Sequence, residues 1–240
     1  MLLKSVRLSP LTYLGTALLL LAVSPLRELC SAATILGPPV PLSELVDDGS
    51  MIVGDKSFTN FTYSFTGDMP ASSGVNVIPI QDDLGNYGIR FQGAFVDIPS
   101  SQGGSDALIT YDVEVTDPLR LISDAHLVGN PALLGDFGSI SVVETFLPLG
   151  NNGEYTMRIY DDESVPTPLL ADQVDFLPPI RKLSVQKDIL AIAAQNSQTA
   201  TLSFVDQTYS QILIPEPASI LLALASFGLI GTAARRRIRS

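Results

Sequence analysis

The sequence predicts an all-β protein, an antiparallel β-sandwich of the jelly-roll type, and two observations lead to this fold class. First, apolar and polar residues alternate with a period of two, as in strands with one buried face. In DALITYDVEVT at 106–116, for example, the apolar set is Ile109, Tyr111, Val113 and Val115. Second, clusters of Gly, Pro, Asn, Asp and Ser, such as PSSQGGSD, separate these runs. Roughly nine to eleven short strands between such turns are typical of a sandwich.

The N-terminus predicts a secretory signal peptide over residues 1–33. Lys4 and Arg7 precede an apolar run at 14–23, and small residues at 31–33 place the cleavage after Ala33. An uncleaved N-terminal anchor is the alternative, although the apolar run is short for a membrane-spanning helix. Cys30 is the single cysteine, so a mature chain that begins after Ala33 has no disulfides and no thiolate ligands.

Residues 34–212 are expected to form one β-rich ectodomain. Besides 106–116, the strand-like runs are FTNFTYSF at 58, VNVIPI at 75, YGIRFQGAFVDI at 87, ISVVETF at 140, EYTMRIY at 154, RKLSVQKDI at 181 and ATLSFVDQ at 200. In the first run, Phe61, Tyr63 and Phe65 should alternate inward. Turn residues predict hairpins at 81–88 and 149–154. A short helix is expected at SELVDD from residue 43, and DILAIAAQ from 188 fits either a helix or a strand.

The charge of this segment excludes one class of partner. Residues 34–214 carry seven Lys and Arg against 23 Asp and Glu, a net charge of −16. Such a surface repels phosphate backbones and anionic lipids, so we expect no binding to nucleic acid. It favours solubility, divalent cations and cationic partners.

The sequence offers little to a catalytic site. His126 is the single histidine, and without a G-x-S-x-G elbow we interpret it as an ordinary strand or loop residue. One histidine without cysteines does not form a typical zinc site. A glycosidase needs only two carboxylates at a suitable separation, but tryptophan, a usual platform for sugar rings, is absent. We therefore predict no catalysis and no required cofactor.

Two acidic turns are the weak candidates for a metal site. Clustered carboxylates at a sandwich edge can hold calcium, although neither cluster has the spacing of an EF-hand loop. A solvated acidic turn is the simpler interpretation. The candidate ligands are Asp82, Asp83, Asp161, Asp162 and Glu163.

The C-terminal tail, residues 213–240, combines three features in a fixed order. Pro215 and Pro217 keep Glu216 between them in an extended conformation. The apolar run 218–234 would form a helix of about 25 Å, slightly shorter than a hydrocarbon core of roughly 30 Å, so it would span the membrane with little tilt. Positive residues then hold the C-terminus on the cytoplasmic side, which leaves the ectodomain outside. These residues are Arg235, Arg236, Arg237 and Arg239.

This tail resembles the PEP-CTERM sorting signal of exported bacterial proteins, which is also labelled an ice-binding protein C-terminal domain. Pro215, Glu216 and Pro217 match the motif, 218–234 match the helix, and 235–237 match the basic end. The resemblance implies an exosortase as partner, a membrane enzyme with a cysteine nucleophile that cuts near the motif. It also implies a Gram-negative host that makes exopolysaccharide. The body has no regular Thr-x-Thr array, so the ice-binding label is not carried to it.

Three function classes follow from these observations. The predicted one is a surface or extracellular-matrix protein, associated with biofilm and exopolysaccharide, which the general secretion machinery exports and an exosortase sorts. It would pass through an intermediate anchored in the inner membrane. The alternatives are a carbohydrate- or calcium-binding sandwich module and a secreted polysaccharide hydrolase.

Overall fold

The computed structural model describes residues 33–99, 103–135, 138–147, 155–193 and 199–214. Residues 1–32 of the predicted signal peptide and the tail from Pro215 onward lie outside the described residues. Within them the chain forms fourteen strands, one short helix and one 3-10 turn (Ser72–Gly74). The first elements are β1 (Thr34–Ile35), β2 (Val40–Pro41), α1 (Leu42–Val46), β3 (Met51–Val53), β4 (Lys56–Thr66), β5 (Asn76–Gln81), β6 (Tyr87–Asp97) and β7 (Ser105–Val115). The remaining strands are β8 (Arg120–Gly129), β9 (Ala132–Leu134), β10 (Gly138–Leu147), β11 (Thr156–Asp162), β12 (Ala171–Ile180), β13 (Lys182–Ala193) and β14 (Thr199–Leu213).

The strands form two antiparallel sheets. The eight-stranded sheet has the order β1-β5-β6-β14-β8-β12, with β2 added beside β5 and β9 beside β14. The six-stranded sheet has the order β11-β10-β13-β7-β4-β3. Apolar side chains from the facing sides of both sheets form one core, so the predicted antiparallel β-sandwich is confirmed.

The path of the chain through the sheets follows the jelly-roll pattern. Strands β6, β7, β8 and β10 lie alternately in the two sheets. After β11, which lies beside β10, the strands β12, β13 and β14 alternate again, with β13 between β7 and β10 and β14 between β6 and β8. As a result β6-β14-β8-β12 lie in one sheet and β7-β13-β10-β11 lie in the other. Two interleaved Greek keys of eight strands have this order.

All eight strand-like runs of the sequence correspond to strands β4, β5, β6, β7, β10, β11, β13 and β14. The predicted hairpin at 81–88 joins β5 to β6, and β10 pairs with β11 on either side of the second predicted turn. The expected helix is α1. The ambiguous run from Asp188 is a strand, because β13 continues to Ala193.

Two long strands, β8 and β12, were missed by the sequence analysis. In β8 the inward positions include the small residues Ala125 and Gly129, which weaken the apolar signal. In β12 the sheet edge exposes most side chains, and Pro178 and Pro179 interrupt the run. Proline is tolerated at an edge strand because its missing N–H faces away from the ladder.

The inward residues of β7 match their predicted placement, since Ile109, Tyr111, Val113 and Val115 are all buried. The prediction for β4 is wrong at one position. Phe61 is buried and Tyr63 is half-buried, but Phe65 is 46% exposed. It lies near the end of the strand, where its ring stacks on Tyr63 instead of entering the core.

Candidate functional site

A polar groove lies on the outer face of the six-stranded sheet, where β4, β7, β13 and β10 run side by side. Its volume is about 340 Å³. It exists because a bulge in β4 shifts the register to β7 between Thr59 and Thr62 and places Asn60 at a φ of 57°. The residues that line it are Asn60, Thr110, Tyr111, Asp112, Leu147, Ser184, Val185 and Gln186.

Asp112 organises one end of this groove. Its carboxylate accepts hydrogen bonds from the Asn60 amide at 2.7 Å, from Lys182 Nζ at 2.8 Å and from the Ser184 hydroxyl. Partial burial opposes the charged form, but these donors together outweigh it and lower the pKa of Asp112. The groove therefore keeps a carboxylate and its donors in fixed positions, an arrangement that can bind hydroxyl groups.

Two more carboxylates meet on the same outer face. Asp106 on β7 and Asp188 on β13 each have a buried Oδ1 atom with no hydrogen-bond partner among the described residues. Desolvation raises the pKa of Asp188, and its neighbour Asp106 raises it further. The sequence analysis missed this acid pair, because residues 82 positions apart along the chain give no local signal.

His126 lies on the outer face of the eight-stranded sheet, near Asp124 on β8 and Ser210 on β14. Its Nε2 atom is 2.8 Å from Asp124 Oδ1 and 3.2 Å from Ser210 Oγ. A Ser-His-Asp triad uses both ring nitrogens, one toward the aspartate and the other toward the serine. Here both partners contact the same nitrogen, so this histidine does not connect them as a proton relay.

The first acidic turn of the sequence analysis joins β5 to β6. Asp82 accepts hydrogen bonds from the backbone of Leu84 and Asn86, from the Asn86 amide and from the Thr208 hydroxyl, at 2.8 to 3.0 Å. Both of its oxygens therefore hold the turn and attach it to β14. Asp83 is exposed beside it.

The second acidic cluster was predicted to be a turn, but Asp161 and Asp162 are the last two residues of β11 and pair with β10, so only Glu163 lies beyond the strand. Asp161 Oδ2 accepts the backbone N–H of Leu133 at 2.9 Å, and Asp162 Oδ1 accepts the backbone and hydroxyl of Ser164 at 2.8 and 2.6 Å. Glu163 is exposed. In the described part of the chain, no group of three His, Cys, Asp or Glu side chains converges in a way that could hold a metal. Calcium binding at these turns stays a prediction.

The end of the described chain leads directly to the predicted sorting tail. Strand β14 ends at Leu213, and the N–H of Ile214 still donates to the carbonyl of Leu119 at 2.7 Å. One residue therefore separates the last strand from Pro215. The sorting residues 215–217 and the arginines from 235 lie outside the described residues. Among the residues that the structure describes, no helix is long and apolar enough to cross a membrane.

Three solved structures align with part of this chain at low similarity. The enzymatically active domain of tailspike protein 4 from bacteriophage CBA120 aligns with 63% of this chain and 19% of its own length, at 13% identity and a TM-score of 0.29. A carbohydrate-binding module that recognises mannan aligns over 75% of this chain and all of its own, at 10% identity and a TM-score of 0.27. A carbohydrate-binding module of promiscuous specificity from the β-sandwich superfamily aligns over 63% of this chain and 56% of its own, at 10% identity and a TM-score of 0.24.

The comparison with protein families identifies the tail. No curated protein matches the chain. The family described as the PEP-CTERM protein-sorting motif matches residues 213–237, which include the Pro-Glu-Pro tripeptide and Arg235 to Arg237. The match begins at Leu213, the residue at which β14 ends. The chain thus carries a PEP-CTERM protein-sorting motif directly after the last strand of its β-sandwich.

Proposed function

We propose that this protein is an exported bacterial surface or extracellular-matrix protein that an exosortase sorts through its C-terminal tail. The observation that carries the proposal is the match of the sorting motif to residues 213–237. Such a motif implies export and an intermediate anchored in the membrane. In this proposal the tail is the substrate of the exosortase, and the β-sandwich is the domain that is delivered to the surface.

The charge distribution supports this topology. The body carries a net charge of −16, whereas four arginines follow the apolar run of the tail. Positive residues next to a membrane segment stay in the cytoplasm, so the body would lie outside. The N-terminal segment 1–33 would start its export, and 218–234 would then anchor it.

The position of β14 supports a cut close to the folded domain. Since Ile214 is still held by Leu119, the Pro-Glu-Pro tripeptide begins one residue beyond the folded sheet. The exosortase would therefore cut beside a folded domain, with no linker to give it distance. The body would associate with exopolysaccharide after its release in a Gram-negative host.

Expression in matched hosts tests this proposal. The full chain would be produced with and without an exosortase, and membrane, periplasmic and surface fractions would be compared. We expect the protein to stay in the inner membrane without the enzyme and to reach the surface with it. The same distribution in both hosts would contradict sorting by this enzyme.

A second candidate is a binding module for sugar hydroxyls, and the groove around Asp112 favours it. Its volume falls in the range of small-molecule sites, and the polar side chains of Asp112, Ser184 and Gln186 are among those that line it. A glycan array with the full chain, with and without calcium, would test this candidate. Gln186→Ala should abolish binding, whereas the control Glu114→Ala, outside the groove on β7, should retain it.

A polysaccharide hydrolysis panel tests the third class, a secreted hydrolase.

A further inference from the structure

Three polar side chains meet in the centre of the sandwich, where neither the sorting tail nor the outer groove uses them. Lys187 on β13 and Glu144 on β10 are directly opposite each other in the six-stranded sheet. Gln207 on β14 reaches them from the facing sheet. All three are fully buried.

The contacts within this cluster leave two atoms without partners. Lys187 Nζ donates a hydrogen bond to Glu144 Oε2 and another, of 3.2 Å, to Gln207 Oε1. Glu144 Oε1 and Gln207 Nε2 are buried and have no hydrogen-bond partner among the described residues. The Lys187 amine thus contacts the carboxamide oxygen of Gln207, and no described residue holds the amide nitrogen on the same carbon.

Burial changes the protonation of this pair. Desolvation lowers the pKa of Lys187, and the attraction of Glu144 only partly opposes it. Desolvation likewise raises the pKa of Glu144, against the effect of Lys187. Both shifts are toward the uncharged forms, the neutral amine of Lys187 and the neutral carboxylic acid of Glu144. A desolvated neutral lysine is a nucleophile, and the acid beside it can transfer protons.

We propose that Lys187 and Gln207 form an intramolecular isopeptide bond across the two sheets, with Glu144 as the catalytic group that moves the proton. The Nζ lone pair attacks Cδ of Gln207 and forms the new C–N bond. Glu144 takes one proton from Nζ and gives one to Nε2. The bond between Cδ and Nε2 then breaks, and ammonia leaves. One amide replaces another, Glu144 is regenerated, and no oxidant or further reactant is required.

The bond would supply a covalent link that this chain cannot obtain from cysteine. The single cysteine is Cys30, so residues 34–214 contain no thiol for a disulfide. An isopeptide between β13 and β14 would join the two sheets at their centre. The inference concerns the body alone and does not depend on the sorting of the tail.

A tryptic digest of the denatured full chain tests the proposal directly. Trypsin cuts after Lys and Arg, and the sequence has neither between Lys187 and Arg235. An unlinked chain gives the separate peptides 183–187 and 188–235. The linked chain should resist cleavage at Lys187 and give one peptide, 183–235, lighter than its sequence by one ammonia. Cleavage after Lys56, which is also buried in the folded protein, confirms complete digestion.

Two other results would overturn the proposal. Free 183–187 peptide in the digest of the parent chain would show that the cluster remains an ordinary buried ion pair. A species that joins the uncut peptide 183–235 to the peptide 121–158, lighter by one water, would place the bond on Glu144 instead of Gln207. The role of Glu144 is tested with Glu144→Gln, which should release free 183–187 while the far-UV circular dichroism stays that of the parent. A linked Glu144→Gln variant would contradict that role.

Discussion

The tail and the body of this protein differ in how their functional residues are arranged along the sequence. The sorting motif is a contiguous stretch, residues 213–237, and its match requires no knowledge of the fold. The polar clusters of the body join residues that are far apart in sequence, such as Glu144 with Lys187 or Asn60 with Asp112. We therefore expect the tail to determine where the protein goes, and the body to determine how stable it is and what it contacts. Changes in one should leave the other intact.

The largest expected effect is on the tail. Glu216→Gln removes the charge from the motif, and Pro217→Ala lets residue 216 adopt helical geometry. Either change should leave nearly all of the protein in the inner membrane of a host with an exosortase. Fractionation measures this effect, and the melting temperature of the body serves as the control, which should not change. A variant that is released like the parent would show that the enzyme does not read these residues.

The next effect concerns the buried pair of the body. Lys187→Met leaves Glu144 buried without its partner and removes the link to Gln207, so it should cost about 3 to 5 kcal/mol of unfolding free energy. Replacing both groups, with Lys187→Met and Glu144→Leu, should recover part of this loss because no carboxyl group is then buried without a partner. Chemical denaturation of the three proteins measures the difference. A single variant as stable as the parent would mean that this cluster contributes nothing to the body.

A smaller effect distinguishes the two faces of one strand. Val113 is fully buried on β7, so Val113→Ala should cost about 1 to 3 kcal/mol. Its neighbour Glu114 is exposed, and Glu114→Ala should stay within about 0.5 kcal/mol. Urea denaturation of both variants checks the placement of β7. Equal costs would contradict the observed register.

The smallest effect depends on pH. Because the folded-state pKa of Asp188 is raised, the folded protein binds this proton more tightly than the unfolded chain does. The stability from this group is present at low pH and is lost as the pH rises through the raised pKa. At neutral pH, Asp188→Asn should therefore stabilise the body by about 0.2 to 1 kcal/mol, since it removes a like-charge pair. As the pH rises from acidic to neutral, the melting temperature of the variant should increasingly exceed that of the parent. A constant difference would contradict the raised pKa of Asp188.

Sequence reasoning located the parts of the fold that are encoded locally. Eight strands, one helix and a hairpin turn were predicted because alternation and turn chemistry act within a few residues. Strand β12 was missed because an exposed edge does not alternate and Pro178 breaks the pattern. Phe65 was misplaced because the period of two does not indicate where a strand passes beyond the core.

The candidate sites of the body were not predictable in the same way. The groove depends on a bulge at Asn60, and the sequence FTNFTYSF reads as an uninterrupted strand. Asp82 was considered as a calcium ligand, yet its oxygens accept hydrogen bonds from the turn and from Thr208, which is 126 residues away. Lys187 and Glu144 each occupy an inward position where alternation predicts an apolar residue. Their partnership required the pairing of β10 with β13.

The mass of the mature C-terminus tests the central claim most directly. The full chain would be purified from a host with an exosortase and from the same host without it, and its C-terminal peptide would be identified by mass spectrometry. With the enzyme, the chain should end near Pro215 to Pro217 and lack the apolar run and the arginines. Without it, the chain should end at Ser240. An intact C-terminus in both hosts would contradict the account, because the tail would then act as an anchor alone.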